Sequence, residues 1–343
     1  GDIVMDLQTV RRNAAEKLER TCKVCRHCNG LACAGEVPGF GGIGTGSSFI
    51  GNVEALARRK LNLRVLHEAR DPDTSLRLFG LDISMPILGA AVAGTRVNRM
   101  GGIGEHELAD AMIRGPRLAG TLGMGGDGGD PAVFDSTIAL TSEVQGAAIP
   151  VIKPREQHGL IERVRRAREA GAFAVAIDVD AAALINMRLL GQRVEPKTQA
   201  EIEAVVAEAG IPVILKGIMT PDEADIAAEA GVAGIVVSNH GGRALDHTQG
   251  TADVLPSIAR RVRGRMVVLV DGGIRSGVDV LKMLALGADA VLVGRPLAVA
   301  AIGGGAEGVS LQLEEYARQL HVAMMLTGCS SLSEVGPEVL WEV

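Results

Sequence analysis

The residues best equipped for chemistry lie in one run, Ser238-Asn-His-Gly-Gly-Arg-Ala-Leu-Asp246, directly after the apolar stretch Gly234-Ile-Val-Val237. An imidazole trades a proton near neutral pH, and His240 stands three residues before Arg243, a fixed guanidinium able to grip a carboxylate through two parallel hydrogen bonds. The glycine pair between them frees the backbone. Other apolar runs end in the same way, on Lys153, on Asp178 and Asp180, on Lys216, on Asp271 and Arg275, and on Arg295. One charge at a buried strand end is usually half of a structural ion pair. Nine such residues converging on one rim would be costly to bury unpaired.

The run Asp271-Gly-Gly-Ile-Arg-Ser-Gly277, leading into a helix, is an arrangement that binds phosphate. Its glycines let backbone N–H groups approach an anion, the helix N-terminus adds positive potential, and Arg275 adds a guanidinium. Gly294-Arg295 at the end of the next strand supplies a second set.

These groups need elements to position them. Apolar runs occur at 85–93, 118–124, 149–154, 173–180, 211–218, 234–239, 266–272 and 290–295, and read as eight buried strands. Helix-like segments at 105–117, 131–144, 156–170, 198–209, 221–230, 252–262 and 278–286 separate them, and 307–326 closes the set. Thr220-Pro-Asp-Glu223 reads as a capping box with a proline start. Ala-Gly pairs at 170–171, 209–210 and 230–231 read as left-handed helix ends. Strict alternation of apolar strands with helices argues for a parallel sheet covered on both faces, and eight units predict an α/β fold of the (β/α)8 TIM-barrel type. In that fold chemistry sits at the C-terminal ends of the strands, where the residues above fall.

Residues 1–60 read as a helical, Cys-rich N-terminal extension and residues 61–343 as the barrel. The extension carries a helix over 6–21, a second near 52–61, and the loop Pro38-Gly-Phe-Gly-Gly-Ile-Gly-Thr-Gly46, read as a flexible connector over the barrel mouth. With 343 residues, 47% hydrophobic and 22% charged, the composition is that of an ordinary globular protein. A net charge of −6, no basic block and only 2% aromatics speak against nucleic acid as a partner. No apolar run reaches the roughly 18 residues of a membrane span, and Gly1-Asp-Ile-Val-Met-Asp-Leu7 lacks signal-peptide order, so a cytoplasmic location is expected.

Four of the five cysteines cluster in Cys22-Lys-Val-Cys25-Arg-His-Cys28-Asn-Gly-Leu-Ala-Cys33, which in a reducing compartment points to metal. The spacing is similar to a ferredoxin-type run for a 4Fe-4S cluster, although the last interval and the missing proline differ. Tetrahedral zinc, with His27 as a substitute ligand, and free thiols are the other readings. Cys329 reads as a small buried residue.

The runs Ile214-Leu-Lys-Gly-Ile218, Ser238–Asp246, Asp271–Arg275, Gly294-Arg-Pro296 and Leu326-Thr-Gly-Cys-Ser-Ser-Leu332 resemble the FMN-dependent 2-hydroxy acid oxidase and dehydrogenase family. The likeness is high from Ile211 to Leu332, thinner from Asp71 to Asp180, and absent before about residue 50. The resemblance implies FMN as cofactor, a small carboxylate as substrate and a homo-oligomer. It implies His240 as the base, Asp180 as its partner, Arg243 as the carboxylate grip and Lys216 beside the flavin pyrimidine. It places Asp271, Gly273, Arg275, Gly294 and Arg295 at the phosphate, and Ala91, Ala93, Lys153, Asp178, Ser238 and Gly272 also on the cofactor side. Arg188 falls near the family's second carboxylate-binding arginine.

The departures are specific. Strand three ends Val151-Ile-Lys-Pro154 where the family has a Gln-x-Tyr run, Asp178 replaces a threonine, and Tyr316 in the last helix is the only tyrosine. The proton-transfer half of the site is retained and the substrate half rebuilt. The expected function is hydride transfer between a 2-hydroxy acid and flavin. The alternatives are a reductase of a 2-oxo acid or activated alkene fed through the cysteines by an electron-transfer partner, an FMN-dependent isomerase, and a non-catalytic flavin-binding module.

Overall fold

In the computed structural model, which describes residues 5–341, eight parallel strands form the barrel: β1 (Ile87–Gly89), β2 (Met124–Gly125), β3 (Ile149–Ile152), β4 (Val175–Asp178), β5 (Val213–Ile218), β6 (Gly234–Val237), β7 (Val267–Val270) and β8 (Ala290–Val293). Residues 1–4, part of the stretch read for signal-peptide order, and 342–343 lie outside the description. Strand β8 pairs with β1, and the ring closes through a single bridge between Gly89 and Gly123. Glycine is required there, because a Cβ on Gly123 would lie 2.0 Å from the Met112 carbonyl oxygen on the helix packed over the seam.

The period of two along each strand sorts the residues. Leu88, Met124, Val151, Ala176, Ile214, Val236, Leu269 and Leu292 point inward and form one buried cluster. Their neighbours Ile87, Ile152, Ile177, Leu215, Ile235, Val270 and Val293 point outward into the layer shared with the helices. Each such side chain contributes about 1.5–3 kcal/mol by leaving water. Two residues further along the inward set, toward the C-terminal ends of the strands, stand Lys153, Asp178, Lys216, Ser238 and Asp271. The alternation that builds the apolar core therefore also aims these polar groups at one another. A hairpin of Leu76–Leu78 and Leu81–Ile83 plugs the opposite end, with Leu78, Phe79 and Ile83 joining the inner cluster and the Phe79 ring against Gly234 at the start of β6. The sequence reading did not anticipate this hairpin.

The helices are α1 (Leu7–Leu18), α2 (Ser47–Arg58), α3 (Glu105–Leu118), α4 (Pro131–Glu143), α5 (Gln157–Glu169), α6 (Ile185–Leu189), α7 (Gln199–Ala209), α8 (Pro221–Glu229), α9 (Thr251–Val262), α10 (Gly277–Ala285) and α11 (Arg295–Met325). Gly171, Gly210 and Gly231 adopt the left-handed conformation expected of them. Three expectations are corrected. Thr220 makes no side-chain cap, whereas Thr198 and Glu201 form the reciprocal capping box. Helix α2 starts at Ser47 rather than near residue 52, because Gly46 turns the chain in αL just before it. The last helix begins at Arg295 rather than 307: its triple glycine holds one non-helical residue, Gly305, and lets α1 pass close enough that a Cβ on Gly303 would meet the Val10 carbonyl at 1.9 Å.

The first 60 residues share the main core, since Val10, Ala14 and Leu18 of α1 and Ala55 and Leu56 of α2 join the same buried cluster as α11. The 38–46 loop is held over the mouth by hydrogen bonds from Arg243 and Arg295 to its carbonyls. Among the described residues no helix is long and apolar enough to cross a membrane.

Candidate active site

Asp178 is the electrostatic centre of the barrel's top layer. Lys153 Nζ donates to its Oδ2 at 2.6 Å and Lys216 Nζ to its Oδ1 at 3.1 Å, with Asp178 and Lys216 facing each other in the β4–β5 register. Burial opposes ionisation of Asp178, but His240, Lys153 and Lys216 overcome it and hold the carboxyl well below its usual range. Burial likewise opposes the Lys216 ammonium, and Asp178, Asp180 and Asp271 outweigh it and raise its pKa. Asp271 behaves oppositely: burial raises its pKa against the pull of Lys216 3.9 Å away, and its Oδ1 is buried with no protein partner.

His240 occupies the turn after β6 with φ 60, a left-handed conformation rare for a residue with a side chain. Ser238 Oγ accepts from its backbone N–H at 3.1 Å, and Asn239 Oδ1 accepts from Gly242 N at 3.1 Å. The ring's Nδ1 lies 2.9 Å from Asp180 Oδ1 and 3.4 Å from Asp178 Oδ1. Asp180 reaches it because β5 bulges at Gly217 (φ 114), where a Cβ would stand 2.6 Å from the Asp180 side chain.

Arg243 donates to the carbonyls of Gly39 and Gly41 and, at 3.0 Å, to Asn98 Oδ1. Among the described residues no carboxylate pairs with it, and burial lowers its pKa to about 10. Asn98 is a hub: its Oδ1 also accepts from Gly39 N at 3.1 Å and Asn186 Nδ2 at 3.0 Å, while its own amide donates to Ala93 O. Arg295 lies 3.8 Å over the Phe49 ring and donates to the carbonyls of Phe40, Gly41 and Gly241. Burial, with Arg243 and Arg275 nearby, lowers its pKa to about 9. Arg275 donates to the Cys28 carbonyl at 3.0 Å. Gly272 and Gly273 both have positive φ, at 100° and 79°, and lead through Ser276 into the N-terminus of α10.

These residues surround one cavity of about 530 Å³, within the range of small-molecule sites. Ala91, Ala93, Lys153, Lys216, His240, Arg243, Asp271, Gly272, Gly273, Arg275, Gly294 and Arg295 line it. Asp178, Asp180 and Ser238 stand behind that lining and hold it in place. Arg188 does not: it is exposed on α6, and its neighbours Asn186 and Met187 face the cavity instead. The four N-terminal cysteines lie outside this cavity, half-buried.

Sequence reasoning missed several supports. Asn52 of α2 and Asn239 exchange hydrogen bonds at 2.9 and 3.1 Å, fixing the His240 turn from outside. Asp127, buried after β2, accepts two hydrogen bonds from Arg155 and one from Lys153 N, locking the end of β3. Glu105 accepts from Gly94 and Thr95 N–H and fixes the loop after β1. None of these carries a local motif. Asn98 and Asn52 are single amides whose partners are far away in sequence.

An eight-stranded barrel whose mouth gathers an imidazole–carboxylate pair, three guanidiniums and a glycine-rich helix start defines an enzyme that handles anions at a phosphate-bearing cofactor. The chain belongs to the FMN-dependent dehydrogenase family, whose pattern matches residues 40–189 and 184–342. It is an FMN-dependent oxidoreductase. It is 35% identical to 4-hydroxymandelate oxidase of Amycolatopsis orientalis over 87% of this chain and 91% of that protein, and 31% identical to L-lactate oxidase of Lacticaseibacillus rhamnosus over 79% and 80%. It superposes on mandelate oxidase with (S)-2-phenylpropionate with a TM-score of 0.79, at 33% identity, covering 99% of this chain and 98% of that one. A mandelate oxidase mutant with the C4a-OH-FMN adduct aligns with a TM-score of 0.75 at 32% identity, over 96% and 97%. The cysteine run at 22–33 precedes the residues that the family pattern matches.

Proposed function

We propose that this enzyme oxidises a 2-hydroxy acid with a bulky apolar substituent to the 2-oxo acid. The observation that carries the reading is the pairing, in one cavity, of an imidazole held by Asp180 at 2.9 Å with a partly buried guanidinium that no described carboxylate neutralises. A buried cation without a counter-ion is costly, and a substrate carboxylate would supply one. In this reading Arg243 holds that carboxylate and His240 Nε2 removes the hydroxyl proton. Asp180 keeps Nδ1 protonated and stabilises the imidazolium that forms. FMN, when bound, supplies the ring that accepts the hydride.

The residues fit that cofactor. Gly272, Gly273, Gly294, Arg275 and Arg295 offer backbone N–H groups and cations for its phosphate, and the unpartnered Asp271 Oδ1 awaits a donor. Ala91 and Ala93 leave room for a flat ring, and Lys216 places a cation where negative charge collects on reduction. Lys153 stands where the family has its strand-three tyrosine, tied to Asp178. Val97, Leu184, Met187 and Leu190 line the cavity with apolar surface, which favours an aryl or branched substituent over a methyl group. The four cysteines, clustered beside this site, are proposed as ligands of a metal centre. An isomerase is disfavoured, because His240 and Arg243 together serve a carboxylate substrate.

Anaerobic mixing of the purified flavoprotein with a panel of 2-hydroxy acids tests the reading. Bleaching of the visible flavin band is expected with aryl and branched acids. His240→Gln should slow that bleaching by about 10²–10⁴-fold, and Arg243→Lys should weaken saturation by the acid more than it slows the step. If no 2-hydroxy acid bleaches the flavin, the proposal fails.

A further inference from the structure

Beside the active-site cavity lies a second one, of about 230 Å³, into which Cys22, Cys25, Cys28 and Cys33 all open. We infer that it is the site of a 4Fe-4S cluster, and that electrons taken from the substrate leave the flavin through it one at a time. The second half of this inference rests on the function proposed above; the first half does not.

Four observations carry the assignment. None of the four thiols is in a disulfide, and all four are half-buried around one space. Their spacing, two, two and four residues apart, places three sulfurs on one short loop and a fourth just beyond it, one residue further than in a ferredoxin-type run. That loop is already shaped. Arg11 donates to the carbonyls of Val24 and Cys25 at 3.1 and 2.9 Å, Val24 takes a left-handed φ of 44°, and its N–H points at Cys22 Sγ at 3.4 Å. Hydrogen bonds from backbone N–H to ligand sulfur are among the features that tune such clusters.

The spread of the four thiols speaks against a single zinc ion. A single zinc ion with Zn–S bonds of about 2.3 Å would draw its four sulfurs to within about 3.8 Å of one another. Among the described residues no three cysteine sulfurs lie within 4.8 Å of one another, so the thiols are not drawn in around a single ion. Charge agrees as well. Four thiolates around a 2+ cluster core leave a net charge of about −2, and the charged lining of the cavity is net basic, with Arg11, Arg20, Lys23 and Arg26 against Glu19 and Glu36.

The location gives the cluster its task. Arg275, Arg295 and Phe40 line both cavities, so one layer of side chains separates the proposed cluster from the flavin site. Arg275 spans the two directly, with its backbone in the glycine-rich loop after β7 and its Nε on the Cys28 carbonyl. The overall reaction balances with a one-electron acceptor protein: the 2-hydroxy acid loses two electrons and two protons to become the 2-oxo acid, two acceptor molecules each gain one electron, and both protons pass to solvent. The enzyme is then a dehydrogenase serving a small redox protein.

The test uses the full-length flavoprotein purified without air. Iron, acid-labile sulfide and zinc are assayed per FMN, with electron paramagnetic resonance after dithionite reduction. Four irons and four sulfides with a reduced-cluster signal are expected; zinc, two irons or no metal overturns the assignment. Cys25→Ser, with Cys33→Ser as a second variant in case the first does not fold, should lose the iron while keeping FMN. Either variant should be bleached by substrate at the wild-type rate but reduce cytochrome c at least tenfold more slowly. Wild-type cytochrome c reduction by an iron-free variant overturns the exit route. Failure of every 2-hydroxy acid to bleach the wild-type flavin would sink the proposed substrate reaction, while leaving the iron and sulfide result to stand by itself.

Discussion

Asp178 concentrates more of the site's electrostatics than any other side chain, holding two ammonium groups and lying 3.4 Å from the His240 ring. Asp178→Asn would leave Lys153 and Lys216 buried without their shared counter-ion, at a cost of about 3–5 kcal/mol. The sign of its pH dependence follows from linkage. Its folded pKa is depressed, so its contribution is present above the ordinary value of 3.8 and is lost as pH falls through the lower folded value. Lys216 has a raised pKa, so its contribution is present below the ordinary 10.5 and is lost as pH rises through the folded value. Asp271 opposes Asp178 in sign, because its raised pKa removes stability as pH climbs above 3.8. Thermal melts from pH 2 to pH 11 should show Asp178→Asn with a lower midpoint near neutrality and a flatter acid limb; an unchanged acid limb would mean that other carboxylates dominate it. At this scale the sequence was legible wherever a residue sat on a strand's inward register. Lys153, Lys216 and Asp271 could be read in that way. Asn98 could not, since its partners Gly39, Asn186 and Arg243 are 59, 88 and 145 residues away. Arg188 lies exposed on α6 while its neighbour Met187 lines the cavity, a placement that the run Ala181–Met187, unlike the family's, could not announce.

Among the elements, the eight strands and most helices could be read in advance because apolar runs and polar spacers alternate so regularly. What escaped were elements whose sequences contradict their form: a hairpin turning through Phe79 at φ 46, and a helix that crosses a triple glycine. The bulge at Gly217 was legible in principle, since a glycine inside an apolar strand run is a bulge signal, but the run alone does not show that Asp180 fills the space. Its consequence is local and testable. Gly217→Ala must place a Cβ 2.6 Å from Asp180 in a backbone conformation that alanine disfavours, at about 1–3 kcal/mol. Displacement of Asp180 from His240 should slow substrate bleaching of the flavin at least tenfold with FMN content unchanged. An unaltered rate in stopped-flow would show that the bulge does not position the pair.

At the scale of the whole molecule, the N-terminal 60 residues changed most in meaning between sequence and structure. Read alone they are an appendage with a flexible loop; folded, they roof the active site, support the His240 turn through Asn52, and bring the cysteines against Arg275. Length and composition could not reveal this, because every one of those contacts reaches more than 180 residues along the chain.

The hairpin that plugs the lower end of the barrel leaves small molecules one door, and the proposed cluster would give electrons another. Hydroxy acid and oxo acid must share the upper mouth, entering and leaving in turn beneath the 38–46 loop, whereas on the cluster assignment proposed above the electrons would leave sideways through the wall of Arg275 and Phe40. If Arg243 holds the carboxylate as proposed, a product molecule still seated on it obstructs the next substrate but not the discharge of the flavin. Saturating 2-oxo acid should compete with the hydroxy acid in the bleaching step and leave the rate of reoxidation by cytochrome c unchanged. On that proposal traffic of matter and traffic of charge are uncoupled, so turnover could be throttled at one door without closing the other.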